Sequence, residues 1–270
     1  MAPTRPHPLS EGFVWRNRLV ERPRRVTPEA AQAFNDRGFV RLEAVFSPAQ
    51  IAAVTAAIDP LEAAEDARLR RHGGRISISD ADAITFTTHL VRKSEALRAF
   101  AAHPAIADIC HDLLGDDVRL YWDQSVYKKP QKPQEFPWHQ DNGYTFVDPQ
   151  QYLTLWLPLV DVDEDNGCPW IAPELHKLGT LHHWATPVGL KCLEDAPGAV
   201  CVPAKAGDAI VFSSLAPHRT GPNLSAGEVR KAYILQYAHD PSVATYRDGR
   251  RAVQDDSERQ FKILSGGLPV

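Results

Sequence analysis

The sequence predicts a mostly β protein, a barrel or sandwich of short strands with helices packed outside it. Up to about residue 114, the chain shows helix-like stretches with recognisable ends. From Val118 onward, short apolar runs alternate with turn signals, and helices followed by many short strands are typical of such a fold. No linker, repeat or low-complexity segment divides the 270 residues. We therefore expect one domain, with an irregular arm rich in Pro and Arg over residues 1–25.

The predicted helices are recognised by their ends. Thr27 reads as an N-cap before a proline at the first helical position, and Gly38 ends that helix. Ser47 begins a capping-box pattern, and the Ala-rich stretch behind it should run to roughly Arg70. A further helical region should cover about residues 94–114, with a proline interruption.

The predicted strands are recognised by alternation of apolar residues. Residues 151–157 place three leucines on one face and Tyr152, Thr154 and Trp156 on the other. Shorter strand patterns cover residues 39–42, 209–212 and 230–237. These runs should form the barrel or sandwich.

Composition and charge exclude several classes of protein. A hydrophobic content of 43% and a charged content of 24% are those of a soluble globular protein. The net charge of −4 and the pI near 6.3 argue against a general nucleic-acid binder. No apolar run approaches a membrane span, and the N-terminus lacks the apolar core of a signal peptide. The four cysteines have no CxxC spacing, so we expect a cytoplasmic protein with reduced thiols and without nucleic-acid or membrane partners.

A pair of metal-binding residue types stands out in the second half of the chain. His139 and Asp141 are two apart in an extended segment, so their side chains project from the same face and can reach one ion. His218 lies at the edge of another strand-like run. Two histidines and one carboxylate form the facial triad of non-haem iron(II) oxygenases, which leaves coordination sites open for cosubstrate and oxygen. Singly, such residues are more often structural; it is the combination that predicts a metal site.

An arginine is expected to share a cavity with this triad. Arg230 begins the strand that follows His218, and a guanidinium binds a carboxylate bidentately. Arg219 is the rival, but its adjacency to His218 turns it to the opposite face of the strand. Thr220 is two residues beyond His218 and offers its hydroxyl on the same side.

These motifs resemble the phytanoyl-CoA dioxygenase family, which includes ectoine hydroxylases, among the iron(II)- and 2-oxoglutarate-dependent oxygenases. The match runs from roughly residue 27 to residue 237. It is strongest in three segments: residues 138–141, residues 166–177, and His218 through Ala232. The resemblance implies a double-stranded β-helix, a cupin-like jelly roll, with the metal inside its mouth.

The resemblance also implies roles for individual residues. His139, Asp141 and His218 would bind iron(II), and Arg230 would pair with the distal carboxylate of 2-oxoglutarate. Trp156, Gln124 and Thr220 are the further candidates for the cosubstrate pocket. The chain departs from the family at Pro173-Glu174-Leu175-His176, where Pro-Gly-Ser-His is usual, and by one extra residue between His218 and Arg230.

The resemblance implies a dioxygenase that oxidises a C–H bond of a small organic molecule, releasing succinate and carbon dioxide. Hydroxylation is the leading expectation, whereas desaturation, cyclisation and epoxidation stay open. The presence of Asp141 argues against halogenation, because related halogenases have a small residue there. The alternative from another class is a non-redox cupin-like isomerase or ligand-binding barrel, which would need the triad but no anchor for 2-oxoglutarate.

The substrate side is less defined by the sequence. Aromatic residues around the triad are candidates for an apolar pocket: Tyr144, Phe146, Trp170 and Trp184. His176 is a further substrate candidate. Four arginines surround Gly73-Gly74: Arg68, Arg70, Arg71 and Arg75. This segment either closes over an anionic group or is an ordinary solvated loop, and the sequence does not indicate an oligomeric state.

Overall fold

A computed structural model describes residues 4–270; the first three residues of the predicted arm lie outside the described residues. Within that range there are four α-helices: α1 (Pro28–Arg37), α2 (Pro48–Arg71), α3 (Glu95–Ala101) and α4 (Pro104–Leu113). Single 3-10 turns cover four further segments: Pro8–Ser10, Leu90–Arg92, Asp141–Gly143 and Leu175–Leu178. Apart from the first of these turns, residues 4–25 are mostly irregular, as predicted for the arm.

The strands lie between the end of α1 and the end of the chain. They are β1 (Phe39–Leu42), β2 (Arg75–Ile76), β3 (Ser79–Asp80), β4 (Ile84–Thr88), β5 (Val118–Lys128), β6 (Phe136–His139), β7 (Phe146–Asp148), β8 (Leu153–Pro158), β9 (Pro169–Ile171), β10 (Trp184–Thr186), β11 (Gly189–Lys191), β12 (Val200–Cys201), β13 (Ala209–Ser213), β14 (His218–Thr220), β15 (Arg230–His239), β16 (Val243–Thr245), β17 (Arg251–Val253), β18 (Lys262–Ser265) and β19 (Leu268–Pro269).

The helix ends lie where the sequence predicts them. Thr27 caps α1 by accepting a hydrogen bond from the backbone of Ala30, and Ser47 and Gln50 form a reciprocal capping box at α2. Gly38 ends α1 with a φ of 84°, and a Cβ there would lie 2.6 Å from the ring of His176. Both its backbone conformation and its packing therefore require glycine.

Two antiparallel sheets form the core. The larger has the order β1-β13-β8-β15-β5-β4-β3-β2, with β18 also paired to β5, and the smaller has the order β12-β9-β14-β6. Between the two sheets, Trp156, Phe212 and Ala232 of the larger pack with Ile171 of the smaller and with Cys168, which directly precedes β9. This two-layer arrangement is the one predicted, with the strands closing around a shared interior.

The outer face of the larger sheet is covered by helices. Alternation in β8 turns Leu153, Leu155 and Leu157 to this face, as predicted. They pack with helix residues such as Ile58 of α2 and Ile106 of α4. Burial of one such side chain contributes about 1.5–3 kcal/mol, so this layer stabilises the sheet without using residues of the barrel interior. No helix in residues 4–270 is long and apolar enough to cross a membrane.

Candidate metal centre and cosubstrate pocket

The three predicted metal ligands meet at one end of the smaller sheet. His139 is the last residue of β6 and His218 the first of β14, and the two strands pair with these residues directly opposite each other. Their ring centroids are 4.1 Å apart. Asp141 follows His139 across the extended residue Gln140, so its side chain returns to the same side.

The distances fit a single ion. Nε2 of His139 and Nε2 of His218 each lie 3.8 Å from Oδ1 of Asp141. All three ligand atoms lie within 4.8 Å of one another. Because metal–nitrogen and metal–oxygen bonds are about 2.1 Å long, two donors of one ion are at most about 4.2 Å apart. The two histidine–aspartate pairs satisfy this limit.

Backbone carbonyls orient both imidazole rings. Nδ1 of His139 lies 2.8 Å from the carbonyl of Pro137, and Nδ1 of His218 lies 3.0 Å from that of Ala216. Since a carbonyl only accepts, each Nδ1 donates, and each Nε2 keeps its lone pair towards Asp141. Burial lowers the pKa of His139 well below its usual value, and the neighbouring His218 adds to this. A neutral imidazole is the form that binds a metal.

Thr154 orients the carboxylate. Its hydroxyl donates a hydrogen bond to Oδ2 of Asp141, which leaves Oδ1 facing the two histidines. Thr154 is buried in β8. Sequence reasoning placed it on the same face of the strand as Trp156 but gave it no role, because its pairing with Asp141 depends on how β8 lies against the segment after β6.

We expect Thr154→Val to weaken iron(II) binding by about tenfold to a hundredfold, the usual effect of losing a residue that orients a metal ligand. Valine keeps the volume and removes the hydroxyl. Anaerobic titration with iron(II) gives the affinity, and a thermal unfolding curve checks the fold. Thr154→Ser retains the donor and should restore most of the affinity. A folded Thr154→Val protein with wild-type affinity would show that this hydrogen bond does not tune the site.

A buried guanidinium lies deeper in the barrel. Arg230, the first residue of β15, is 1% exposed. Its Nη1 donates to the carbonyl of Val126 at 3.3 Å, and its Cζ lies 5.4 Å from the centre of the Trp156 ring. Its Nε and Nη2 have no partner within residues 4–270. Burial lowers the pKa of Arg230 to about 9, which leaves it charged at neutral pH.

Lys128 is a second buried cation in this region, and sequence reasoning missed it. It lies directly opposite Arg230 in the pairing of β5 with β15 and is 1% exposed. Its Nζ donates to the carbonyls of Thr220, at 3.0 Å, and of Gly221, so it also holds the segment that follows His218. Burial lowers the pKa of Lys128 well below its usual value. Its neighbour Lys129 is only half-buried. The sequence shows two successive lysines at a strand end and does not indicate which of them is buried.

No carboxylate lies within 4.0 Å of either cation in the described part of the chain. Burying a charge without a counter-ion is unfavourable. The two buried cations are therefore suited to bind an anion with more than one acceptor oxygen.

Arg219 faces the other way, as strand alternation predicts. Its guanidinium lies 5.6 Å and 5.2 Å from the ring centres of Trp138 and Trp170. It also pairs with Glu135 at 3.1 Å. Arg219 is thus engaged on the outside of the smaller sheet. Thr220, one residue further, is buried.

A cavity of about 500 Å³ opens above the triad, with His139 and Asp141 in its wall. Five aromatic rings line it: Phe86, Tyr121, Trp122, Phe136 and Tyr144. Gln124 lines it as well and accepts a hydrogen bond from Nε1 of Trp122 at 3.1 Å. The ring of Tyr144 stands edge-on to that of His139, with centroids 5.6 Å apart. Of the predicted pocket residues, Gln124 and Tyr144 border this cavity, and Trp156 lies beside Arg230.

Four other predicted substrate residues lie outside the lining of this cavity. The ring of Phe146 stacks on that of His7 with centroids 5.0 Å apart. Trp170 faces Arg219 on the outside of the smaller sheet, and Trp184 lies in the β10–β11 hairpin.

His176 is fully buried beside α1, where its Nε2 lies 3.1 Å from the carbonyl of Asn35. His176, like Phe146, Trp170 and Trp184, is near the triad in sequence. Strand alternation and the direction of the chain nevertheless place these four side chains outside the cavity lining. Their position therefore does not support the predicted substrate contacts.

The arginine-rich segment is a hairpin of β2 and β3 after a Gly73-Gly74 turn. Arg68 and Arg70 pair with acidic residues of α2 and its neighbourhood, and Arg75 donates to the carbonyl of Pro187 at 2.8 Å. The segment reaches the cavity through Ile76, Ser77, Ile78 and Ser79.

Comparison with known proteins gives one family. A model of the phytanoyl-CoA dioxygenase family matches residues 34–232. A methylphosphonate hydroxylase of Gimesia maris is 26% identical over 233 residues, which cover 84% of this chain and 88% of that protein. An ectoine dioxygenase of Bordetella bronchiseptica is 24% identical over 224 residues, covering 74% and 71%.

Among solved structures, the non-haem alpha-ketoglutarate-dependent carbocyclase SnoK from nogalamycin biosynthesis is similar in fold. Its TM-score is 0.65 at 24% identity, with 92% of this chain and 96% of that chain covered. Likenesses of this kind confirm the jelly-roll fold predicted from the sequence.

Proposed function

The chain belongs to the phytanoyl-CoA dioxygenase family, and on that premise we propose that it hydroxylates a C–H bond of a small organic molecule. It is an iron(II)- and 2-oxoglutarate-dependent oxygenase, the enzyme class of the family. The proposal takes the chain as a single catalytic domain. Its main support is one observation: His139, Asp141 and His218 converge, the first two in the wall of a cavity, in a barrel that also buries Arg230 with two unpartnered guanidinium nitrogens.

The donor set fits iron(II). Two neutral imidazoles and one carboxylate are the ligands of a facial triad, and such a triad leaves three positions free for cosubstrate and oxygen. When bound, the iron with 2-oxoglutarate supplies oxidation by dioxygen, with succinate and carbon dioxide as by-products. His139 and His218 would each contribute Nε2, and Asp141 would contribute Oδ1, because these atoms face one another.

The cationic pocket fits the distal carboxylate of 2-oxoglutarate. The unpartnered Nε and Nη2 of Arg230 present two donors that match the two oxygens of a carboxylate. Lys128 adds a second positive charge on the neighbouring strand. Thr220, Trp156 and Gln124 stay proposals for the same pocket.

The cavity fits a small organic substrate. Its volume of about 500 Å³ lies within the range of roughly 300–1,000 Å³ typical of small-molecule sites. The aromatic walls exclude water, and Gln124 and Gln236 provide amide groups for orientation. A substrate held there presents its C–H bonds to the metal face of His139 and Asp141.

The alternative, a non-redox cupin-like isomerase or ligand-binding barrel, accounts for the triad alone. It gives no reason to bury Arg230 and Lys128 without a carboxylate partner. The 2-oxoglutarate-dependent reaction accounts for both features, so we prefer it.

Labelled dioxygen tests hydroxylation, once screening for 2-oxoglutarate-dependent oxygen consumption has found a substrate. We expect one labelled oxygen atom in the product and no halogen, even in excess chloride, because Asp141 occupies the metal face that a halide needs. Mass spectrometry of the product gives the answer. A chlorinated product would contradict the proposal. A dehydrogenated or cyclised product without added oxygen would replace hydroxylation by one of those outcomes and leave the cofactors unchanged.

A further inference from the structure

We propose that the cavity selects small molecules with one oxyanion, such as a carboxylate, on an apolar body, and that Lys93 binds the oxyanion. This inference rests on the proposed function, since it assigns a substrate class to the same cavity. It concerns the substrate and not 2-oxoglutarate, whose proposed anchors, Arg230 and Lys128, are fully buried and do not line the cavity.

Lys93 and the triad lie at different depths of the cavity. Lys93 follows the Leu90–Arg92 turn and is exposed to solvent, whereas His139 is buried. Both line the same cavity. A molecule whose charged end contacts Lys93 therefore remains solvated at that end while its body extends inward to the metal side.

The charges at the mouth favour an anion. The acids that line the cavity are Glu65 and Asp141, and Asp141 belongs to the metal site. Both oxygens of Glu65 accept from Arg68, at 2.8 and 2.7 Å; this contact, together with the nearby charge of Lys93, lowers the pKa of Glu65. Lys93 has no carboxylate within 4.0 Å in the described chain. The three mouth residues together carry a formal charge of +1, and a cationic ligand would find no free carboxylate.

The walls favour an apolar body. Five aromatic rings and the side chains of Ile76 and Ile78 line the path from the mouth to the triad. Polar side chains line the cavity as well, among them the amides of Gln124 and Gln236 and the hydroxyls of Ser79 and Thr88. The contiguous rings and isoleucines nevertheless give an apolar body a surface on which to leave water.

The arginine-rich segment does not compete for this role. Arg68 is held by Glu65, and Arg70 by Asp66 and Asp82. Arg75 is bound to a carbonyl of the β10–β11 hairpin. Lys93 is the cation of the cavity lining that has no intramolecular ion pair.

Three matched probes test this inference: phenylbutyrate, phenylbutanol and phenylbutylamine, which share one body and differ in the charge of the end group. They are titrated into iron(II)- and 2-oxoglutarate-loaded protein under anaerobic conditions, followed by the visible absorption of the complex. They are also titrated into metal-free protein, followed by tryptophan fluorescence, since Trp122 lines the cavity. We expect the carboxylate to bind about tenfold more tightly than the alcohol, the lower end of a charge-assisted contact, and the ammonium to bind most weakly.

Lys93→Met should reduce the affinity for the carboxylate by about tenfold and leave that for the alcohol unchanged. Arg92→Gln is the matched control: Arg92 pairs with Glu258 at 2.7 Å and does not line the cavity, so its loss should preserve the preference. The inference is overturned if the three probes bind with equal affinity, if the preference persists in Lys93→Met, or if neither method detects binding. Suppose that fluorescence shows the preference for the carboxylate probe but that adding 2-oxoglutarate to the iron(II)-loaded protein produces no visible absorption band. That result would instead contradict the proposed function.

Discussion

Replacing His139, Asp141 or His218 by Ala is expected to abolish turnover and tight iron(II) binding while the fold persists. Each residue supplies one of three donors, and a site with two donors holds iron(II) far less tightly. The fold should persist because apolar side chains of the helix-covered layer and of the inter-sheet layer supply most of the packing.

Anaerobic iron(II) titration, a 2-oxoglutarate turnover assay and thermal unfolding together measure this. His182→Ala is the control, because His182 is exposed and is not part of the triad; it should bind iron and turn over as the wild type does. Wild-type turnover in His218→Ala would remove His218 as the third ligand.

Arg230→Ala is expected to raise the apparent Michaelis constant for 2-oxoglutarate by about a hundredfold or more, with little change in iron(II) affinity. Truncating one partner of a buried charge-assisted pair costs about 2–5 kcal/mol. Arg230→Lys should recover only part of the loss, because an ammonium does not bond a carboxylate bidentately. Lys128→Met should raise the same constant less, because the ammonium of Lys128 is already engaged by the carbonyls of Thr220 and Gly221.

Steady-state kinetics with varied 2-oxoglutarate and a parallel iron(II) titration separate these effects. Arg219→Ala is the matched control, since its guanidinium faces Trp138, Trp170 and Glu135 outside the barrel. If Arg219→Ala raised the constant and Arg230→Ala did not, the assignment of the anchor would be wrong.

Local rules in the sequence were enough for the helices, for the strands β1, β8, β13 and β15, and for the triad. The caps at Thr27 and Ser47 begin α1 and α2 where predicted, and alternation in β8 correctly separated the leucine face from the face of Trp156. Alternation in β14 turns Arg219 away from His218, which is why Arg230 was preferred to Arg219. These features depend only on backbone geometry over a few residues, which is why the sequence reveals them.

Features that depend on contacts between distant strands were not predictable. The hydrogen bond of Thr154 to Asp141 and the burial of Lys128 opposite Arg230 follow from the pairing of β8 and β5 with β15. Conversely, Phe146 and His176 were predicted as substrate contacts because they are near the triad in sequence. The direction of the chain instead places Phe146 against His7 and His176 beside Asn35. Lys93 lies 46 positions before His139, and no local pattern in the sequence indicates that it lines the cavity.

The most direct test of the central claim is the visible spectrum of the protein under anaerobic conditions with iron(II) and 2-oxoglutarate. A 2-oxo acid that binds iron(II) through its carboxylate and keto oxygens gives a weak metal-to-ligand charge-transfer band. We predict that this band appears, saturates at one 2-oxoglutarate per chain, is lost in His218→Ala and needs higher 2-oxoglutarate in Arg230→Ala. A folded protein that binds iron(II) at the triad and shows no band at any concentration of 2-oxoglutarate would contradict the account and favour a non-redox metal-binding barrel.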